Sequence, residues 1–309
     1  MAQRADKIRY CKALKERLIR ESRSDLLRFT LATMPTFRPA DFHRRYYKVL
    51  TDFAQGKIRK LMVFMPPQHG KSEGSTRRLP AFLLGNDPEK RLAIVSYNAP
   101  KARKFNREIQ RIIDTPEYHE IFPETNLNAA NVTTIAGSWL RNADECEIVG
   151  HRGSFKTVGV GGALTGEPVD ILIMDDIYKD AKTAWSPIVR ESVSDWYDTV
   201  AETRLHNESQ QLIVFTRWHE DDLAGTLLRQ QGVYDPKDNP DGWVVVVYKA
   251  IKEDKPTEYD PRKEGEALWE ERHSLKKLQA IRKRNPQVFE SLYQQDPQPR
   301  AGLMYESGF

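Results

Sequence analysis

Cysteine is nearly absent: Cys11 and Cys146 are the two in 309 residues. That is too few for a disulfide framework or a zinc cluster and fits a reducing cytoplasm; both read best as small buried hydrophobes. No uninterrupted apolar stretch approaches the ~18 residues of a membrane-spanning helix. The opening MAQRADKIRYCKALKERLIRESR has no apolar centre of a secretory signal. Internal repeats and low-complexity tracts are missing too, which excludes solenoid architectures.

What remains is an ordinary globular composition, 39% hydrophobic and 30% charged, long enough for one large core or a core plus a smaller lobe. Net charge is only +4, so distribution matters more than the sum. Basic residues outnumber acidic ones before Arg23. Lys101, Arg103, Lys104, Arg107 and Arg111 are opposed only by Glu108, and Arg272–Arg284 contains no acid. Such clusters suit phosphate contact or simply form a solvated helix face.

Leu14, Leu18, Leu26, Leu27 and Leu31 recur near helical spacing, which predicts an amphipathic helix over 1–34. MPTFRPADFHRRYY then reads as a folded segment, and residues 1–44 as an N-terminal helical arm. Short apolar runs follow at Leu61–Met65, Arg91–Ser96, Cys146–Val149, Phe155–Val160, Ile171–Met174 and Gln211–Thr216. Helical stretches alternate with them, including Pro100–Asp114 with Ala102, Phe105, Ile109 and Ile112 on one face. This pattern predicts βαβ units and a mostly parallel sheet covered on both sides over 45–250. From 251 to 309 the texture is polar and Pro-bearing, with Ser274 as an N-cap, and reads as a small helical lid or linker. The chain stops at GLMYESGF with no terminal cap or tail, as if a further domain followed.

The chemistry centres on MPPQHGKS, 65–72. A loop after a buried strand, with Gly-Lys-Ser opening a helix, is a phosphate-binding arrangement. Backbone N–H groups of Gln68, His69, Gly70, Lys71, Ser72 and Glu73 would cradle phosphates, Lys71 would neutralise the β- and γ-groups, and the Ser72 hydroxyl would take Mg²⁺. Met65 stands where the first glycine of the usual pattern would be, so a surface turn is the alternative. Ile171–Asp176 is an apolar strand delivering two acids at its end: Asp175 for Mg²⁺ and Asp176 as the base for water. Asp reaches ~1.5 Å less far than Glu, the more usual base, and helix capping is the plainer role for either. Gln211–Arg217 is a further strand ending in Thr216, suited to sensing a γ-phosphate or to capping a strand. The fold these imply is α/β, a P-loop NTPase of ASCE/RecA-like type.

Taken in order, PPQHGKS (66–72), GVGGALTG (159–166), ILIMDDIYKD (171–180), SVSDWYDTVAETRL (192–205), IVFTRWHEDDLAG (213–225) and LYQQDPQP (292–299) resemble the large terminase subunit of tailed bacteriophages. The resemblance runs from about Phe42 onward. It implies an ATPase motor that translocates double-stranded DNA into a procapsid, with ATP and Mg²⁺ as cofactors. The expected partners are the portal protein, the small terminase subunit and other copies of itself in a ring, a pentamer, docked on the procapsid in the host cytoplasm. Family members continue into a nuclease domain, which this chain is not expected to contain. By the same resemblance Lys71, Ser72, Asp175, Asp176 and Thr216 take the Walker A, Walker B, catalytic and coupling roles. An arginine finger is expected, but Thr165 stands where some relatives carry it. Arg152 is the preferred candidate, with Arg141 and Arg217 behind it. Phe37 and Arg38, with Phe42, fall where the family contacts the base. Lys101, Arg103, Lys104 and Arg107 form the best DNA-binding face, suited to contact without sequence preference.

Two other readings compete. A helicase-like translocase needs a second RecA-like core, for which residues 250–309 are too few. A non-catalytic nucleotide- or DNA-binding scaffold would be expected to have lost some of Lys71, Ser72, Asp175 and Asp176.

Overall fold

The computed structural model describes residues 2–133, 138–164, 166 and 168–297. Thr165, the stretch from 298 onward and the Cys11 side chain lie outside the described residues. Seven strands form one sheet: β1 Lys60–Phe64, β2 Arg91–Ser96, β3 Glu145–Glu147, β4 Ser154–Gly159, β5 Val169–Asp175, β6 Leu205–Phe215 and β7 Val244–Val247. Their order is β3-β4-β2-β5-β6-β1-β7, and every neighbouring pair is parallel except β3 with β4. The strand β6 therefore separates β1 from β5, the arrangement of the additional-strand P-loop NTPases.

Side chains alternate across the sheet, as a two-sided core requires. Leu61 and Val63 of β1, Leu92 and Ile94 of β2, and Ile171 and Ile173 of β5 face one core. The helices Leu26–Thr33, Asp41–Ala54, Leu79–Asn86 and Ala99–Ile113 cover that face. Met62, Phe64, Ala93, Val95, Leu172 and Met174 face the other core, closed by Pro187–Trp196 and Leu223–Gln231. Ala250, Ile251, Leu278 and Phe289 make a small separate cluster near the C-terminus. Ser274 caps the helix Leu275–Arg284 by accepting from Lys277 N.

Two expectations change. The helix predicted over 1–34 is two helices, Ala2–Ser24 and Leu26–Thr33, because the Asp25 carboxylate caps the second by accepting from Arg28 N. Leu14 and Leu18 are 44% and 49% exposed rather than inward. The strand β7 was not anticipated, although Val244–Val247 is a plain β-branched run; it pairs parallel to β1 and flanks it on the side away from β6.

Gly159 ends β4 where the helix Ala99–Ile113 begins. A Cβ there would sit 2.5 Å from Ala99 N and 2.6 Å from Asn98 C, both backbone atoms that cannot swing aside. Gly159→Val is expected to cost at least the ~1–3 kcal/mol of an overpacked core site, read as a lowered urea midpoint at unchanged slope.

Candidate active site

In a parallel sheet the strands end on one edge, and a ligand crevice forms there. Register aligns the relevant ends: Phe64 pairs with Phe215, and Val214 with Asp175. The phosphate loop after β1, the two acids ending β5, and Thr216 after β6 therefore meet at one edge. Lys71 Nζ donates to Thr216 Oγ1 at 3.0 Å and lies 3.0 Å from Asp176 Oδ1. Thr216 Oγ1 in turn donates to Met65 O at 3.2 Å, tying the ends of β6 and β1.

The loop is held from behind by the helix Asp41–Ala54. Tyr46 donates its hydroxyl to Lys71 O at 2.7 Å. His43 accepts from Ala40 N through Nδ1 at 3.0 Å, so Nε2 carries the proton and donates to His69 O at 3.1 Å. Gly70 has φ +82°, and a Cβ there would meet His43 Nε2 at 2.9 Å. Gln68 is exposed with φ +62°.

After Ser72 the chain winds into a π-helical turn, Glu73–Arg78, before the α-helix resumes. Such turns gather at functional sites. This one brings Thr76 to Asp175, whose Oδ2 accepts from the Thr76 hydroxyl. Asp175 Oδ1 is buried and accepts no hydrogen bond among the described residues. Burial first, and then the neighbouring Asp176 carboxylate, push the Asp175 carboxyl up to about 6; Lys71 and the Thr76 and Ser72 hydroxyls pull the other way. A buried carboxylate oxygen with no hydrogen bond of its own among the described residues, on a group the Ser72 hydroxyl also reaches, suits a divalent cation completed by phosphate and water oxygens. Glu73 turns aside to pair with Arg77 and Arg78.

Several expected residues lie elsewhere. Arg152 precedes β4 and so sits at the opposite edge of the sheet, its guanidinium 79% exposed and paired with Glu89 at 3.0 Å. It does not reach Lys71 of its own chain. Arg141 is committed to Gln110 and Asn128 O, at 3.1 and 2.6 Å. Arg217 borders the site, but its Nε bonds Asp222 at 2.8 Å and its guanidinium lies 5.0 Å from the Phe64 ring. Phe37 packs on His43 and Tyr47, and Arg38 donates to Pro35 O. Lys101 stacks over Phe105 and Arg103 pairs with Asp144, whereas Lys104 and Arg107 are exposed.

Sequence reasoning named Phe42 and His69 but missed Trp269 and His273, which complete an aromatic wall with them beside the loop. The His69 ring stacks on His273 at 4.5 Å, His43 meets Trp269 edge-on at 4.7 Å, and Phe42 joins them. Trp269 and His273 are about 200 residues from the loop in sequence, and no local pattern marks them. Thr76 carried a weak signal, a hydroxyl four residues after Ser72.

Burial lowers the His43 imidazole to about 4 and that of His69 to about 3. Both folded values lie below the unfolded 6.5, so the stability these neutral rings supply is complete above pH 6.5 and is lost as pH falls toward 4. The melting temperature is expected to drop over that window. His43→Gln, which keeps an acceptor for Ala40 N and a donor for His69 O, should flatten the drop when melting is followed from pH 8 to 4.

The sequence matches the family described as "Terminase large subunit, T4likevirus-type, N-terminal" over residues 62–286. No curated protein matches the chain. Among solved structures, a variant of the large terminase ATPase domain of Thermus phage P74-26 is similar at 15% identity over 85% of this chain and 100% of that one, with a TM-score of 0.49. The Phi-28 gp11 DNA packaging motor is similar at 10% identity over 78% of this chain and 66% of that one, with a TM-score of 0.40.

Proposed function

The chain belongs to the N-terminal family of T4-like-virus-type terminase large subunits, and we propose that the Lys71–Asp176–Thr216 cluster is its ATPase centre, driving double-stranded DNA into a procapsid. The observation that carries this reading is the convergence of three strand ends on one ammonium group. Phosphate oxygens compete with Asp176 for Lys71, so nucleotide binding frees that carboxylate next to the γ-phosphate. Asp176 then accepts the proton of the attacking water as its oxygen bonds to phosphorus. The bond to the β-phosphate oxygen breaks, and its electron pair leaves with ADP. Mg²⁺, held through Ser72 and Asp175, would neutralise charge on the phosphates. The Thr216 hydroxyl between Lys71 and Met65 registers whether a γ-phosphate is present.

The rings of Phe42, His69, Trp269 and His273 pack together beside the loop, and the base would lie against them. The helix Ala99–Ile113 starts at the same sheet edge, capped by Asn98, so its exposed Lys104 and Arg107 put backbone-binding charge near the nucleotide. No described helix is long and apolar enough to cross a membrane. Arg152, unable to reach its own nucleotide, projects outward where a neighbouring copy in a ring would meet it as a finger in trans. Portal and small-subunit contacts belong to the same assembly reading.

Lys71→Ala and Asp175→Ala are each expected to lower ATP turnover at least ~100-fold, the scale of losing one preorganised electrostatic partner, with unchanged circular dichroism. Turnover at the level of the unaltered chain in either variant sinks the site. If the finger acts in trans, turnover per chain rises with protein concentration. A strictly constant specific activity from nanomolar to tens of micromolar would exclude that.

A further inference from the structure

Beyond the catalytic cluster, one stretch of backbone is held from two directions. Thr216 receives Lys71 on its side chain. The next residue, Arg217, donates its backbone N–H to Gln295 Oε1 at 3.1 Å. Gln295 belongs to the segment after the helix Pro286–Leu292, and its Nε2 donates to Leu292 O at 2.6 Å. Its own backbone is left-handed, φ +59°. Among the described residues, the other non-glycines with positive φ are Gln68 in the phosphate loop and Asp176 in the catalytic pair. Strained backbone persists where surroundings over-determine it, and it gathers at working sites. Gln295 is 6% exposed, so solvent has little claim on its amide.

Its neighbour Gln294 does a different job. Gln294 is fully buried and grips Ile251 at both ends, accepting from Ile251 N at 3.0 Å and donating to Ile251 O at 2.9 Å. Ala250 N also donates to Tyr293 O at 2.7 Å. These bonds fasten the segment to the chain that leaves β7, independently of β6. Gln295 is then the link from the fastened segment to the end of β6. The Arg217 side chain is itself held, its Nε on Asp222 and its guanidinium over the Phe64 ring.

We propose that Gln295 is a positioning residue: through the Arg217 peptide it holds Thr216 toward the phosphates and passes the nucleotide state to the C-terminal segment 286–295. The inference rests on the proposed ATPase reading. When phosphate draws Lys71, the Thr216 hydroxyl loses a donor and the 216–217 peptide resets. A packed element responds to such a shift as a body rather than by bending.

The test is hydrogen–deuterium exchange of segment 286–295 in the full chain with Mg²⁺, comparing no nucleotide, ADP, and ADP with aluminium fluoride, alongside ATPase kinetics. The unaltered chain should show a several-fold change in exchange between the ADP and aluminium fluoride states. Gln295→Ala should lose that difference and lower kcat several-fold, leaving KM for ATP within about two-fold. Gln295→Glu, which keeps the acceptor for Arg217 N–H, should restore the response. A response of unaltered size in Gln295→Ala overturns the inference, as does a loss that Gln295→Glu fails to restore. A chain that binds ATP with no change in segment 286–295 overturns it alone. A chain that binds no ATP, scored separately by nucleotide titration against Lys71→Ala, overturns the ATPase reading and this inference with it.

Discussion

The ammonium of Lys71 lies between Thr216 Oγ1 and Asp176 Oδ1 at 3.0 Å from each, and its side chain is 10% exposed. A charge so little hydrated depends on its partners being in place, and the Asp176 carboxylate, itself 30% exposed, meets it from the open side. Those partners come from different strands, so the sheet order is a condition of the site. With β6 between β1 and β5, Thr216 comes alongside the loop while Asp175 and Asp176 arrive from one strand further away. In this order the end of β6 brings the Thr216 hydroxyl to Lys71 from the strand directly beside β1. The parallel register then fixes the level at which the three ends stop.

Regularity in the sheet contrasts with irregularity at its edge. Gln68 and Asp176 take left-handed backbone conformations, each costing on the order of 1–3 kcal/mol for such a residue. The surroundings hold Asp176: its N–H donates to Val214 O, and its carbonyl accepts from Tyr97 N, both at 3.2 Å. The π-helical turn behind the loop has a similar logic. It rotates Thr76 onto the buried Asp175, and Ser75 donates to Lys71 O at 2.9 Å. Both residues stand at helical spacing, Ser75 four after Lys71 and Thr76 four after Ser72, but the Asp175 partner that Thr76 reaches comes from a distant strand and is not set by that spacing.

That contrast explains what could be read from residues alone. The strands β1, β2, β5 and β6 were legible because buried parallel strands are short apolar runs, and their ends carry the polar residues that matter. That Asp175, Asp176 and Thr216 would meet Lys71 at one edge was legible for the same reason: the first three stand at the ends of such runs, and Lys71 follows another across a five-residue loop. The wall of Trp269 and His273 was not, because it forms only when the chain after β7 folds back over the loop. Arg152 looked suitable beside the glycine-rich stretch. The direction of β4, which a linear reading does not fix, carries it to the far edge. Leu14 and Leu18 had helical spacing, but the helix they share with charged neighbours packs elsewhere and leaves them half exposed.

The missing first glycine of the phosphate loop has a physical account. A glycine is required only where the backbone must turn left-handed or approach closely. Among residues 65–72 positive φ falls at Gln68 and Gly70, not at Met65. Met65 directly follows β1: its side chain is fully buried in the core and its carbonyl accepts the Thr216 hydroxyl. A glycine there would give up the buried thioether without gaining a conformation the loop uses. Two prolines follow, which stiffen the exit from β1, and the reversal is deferred to Gln68. The departure at Met65 thus moves the turn along the loop while Gly70, Lys71 and Ser72 keep their places against β5 and β6.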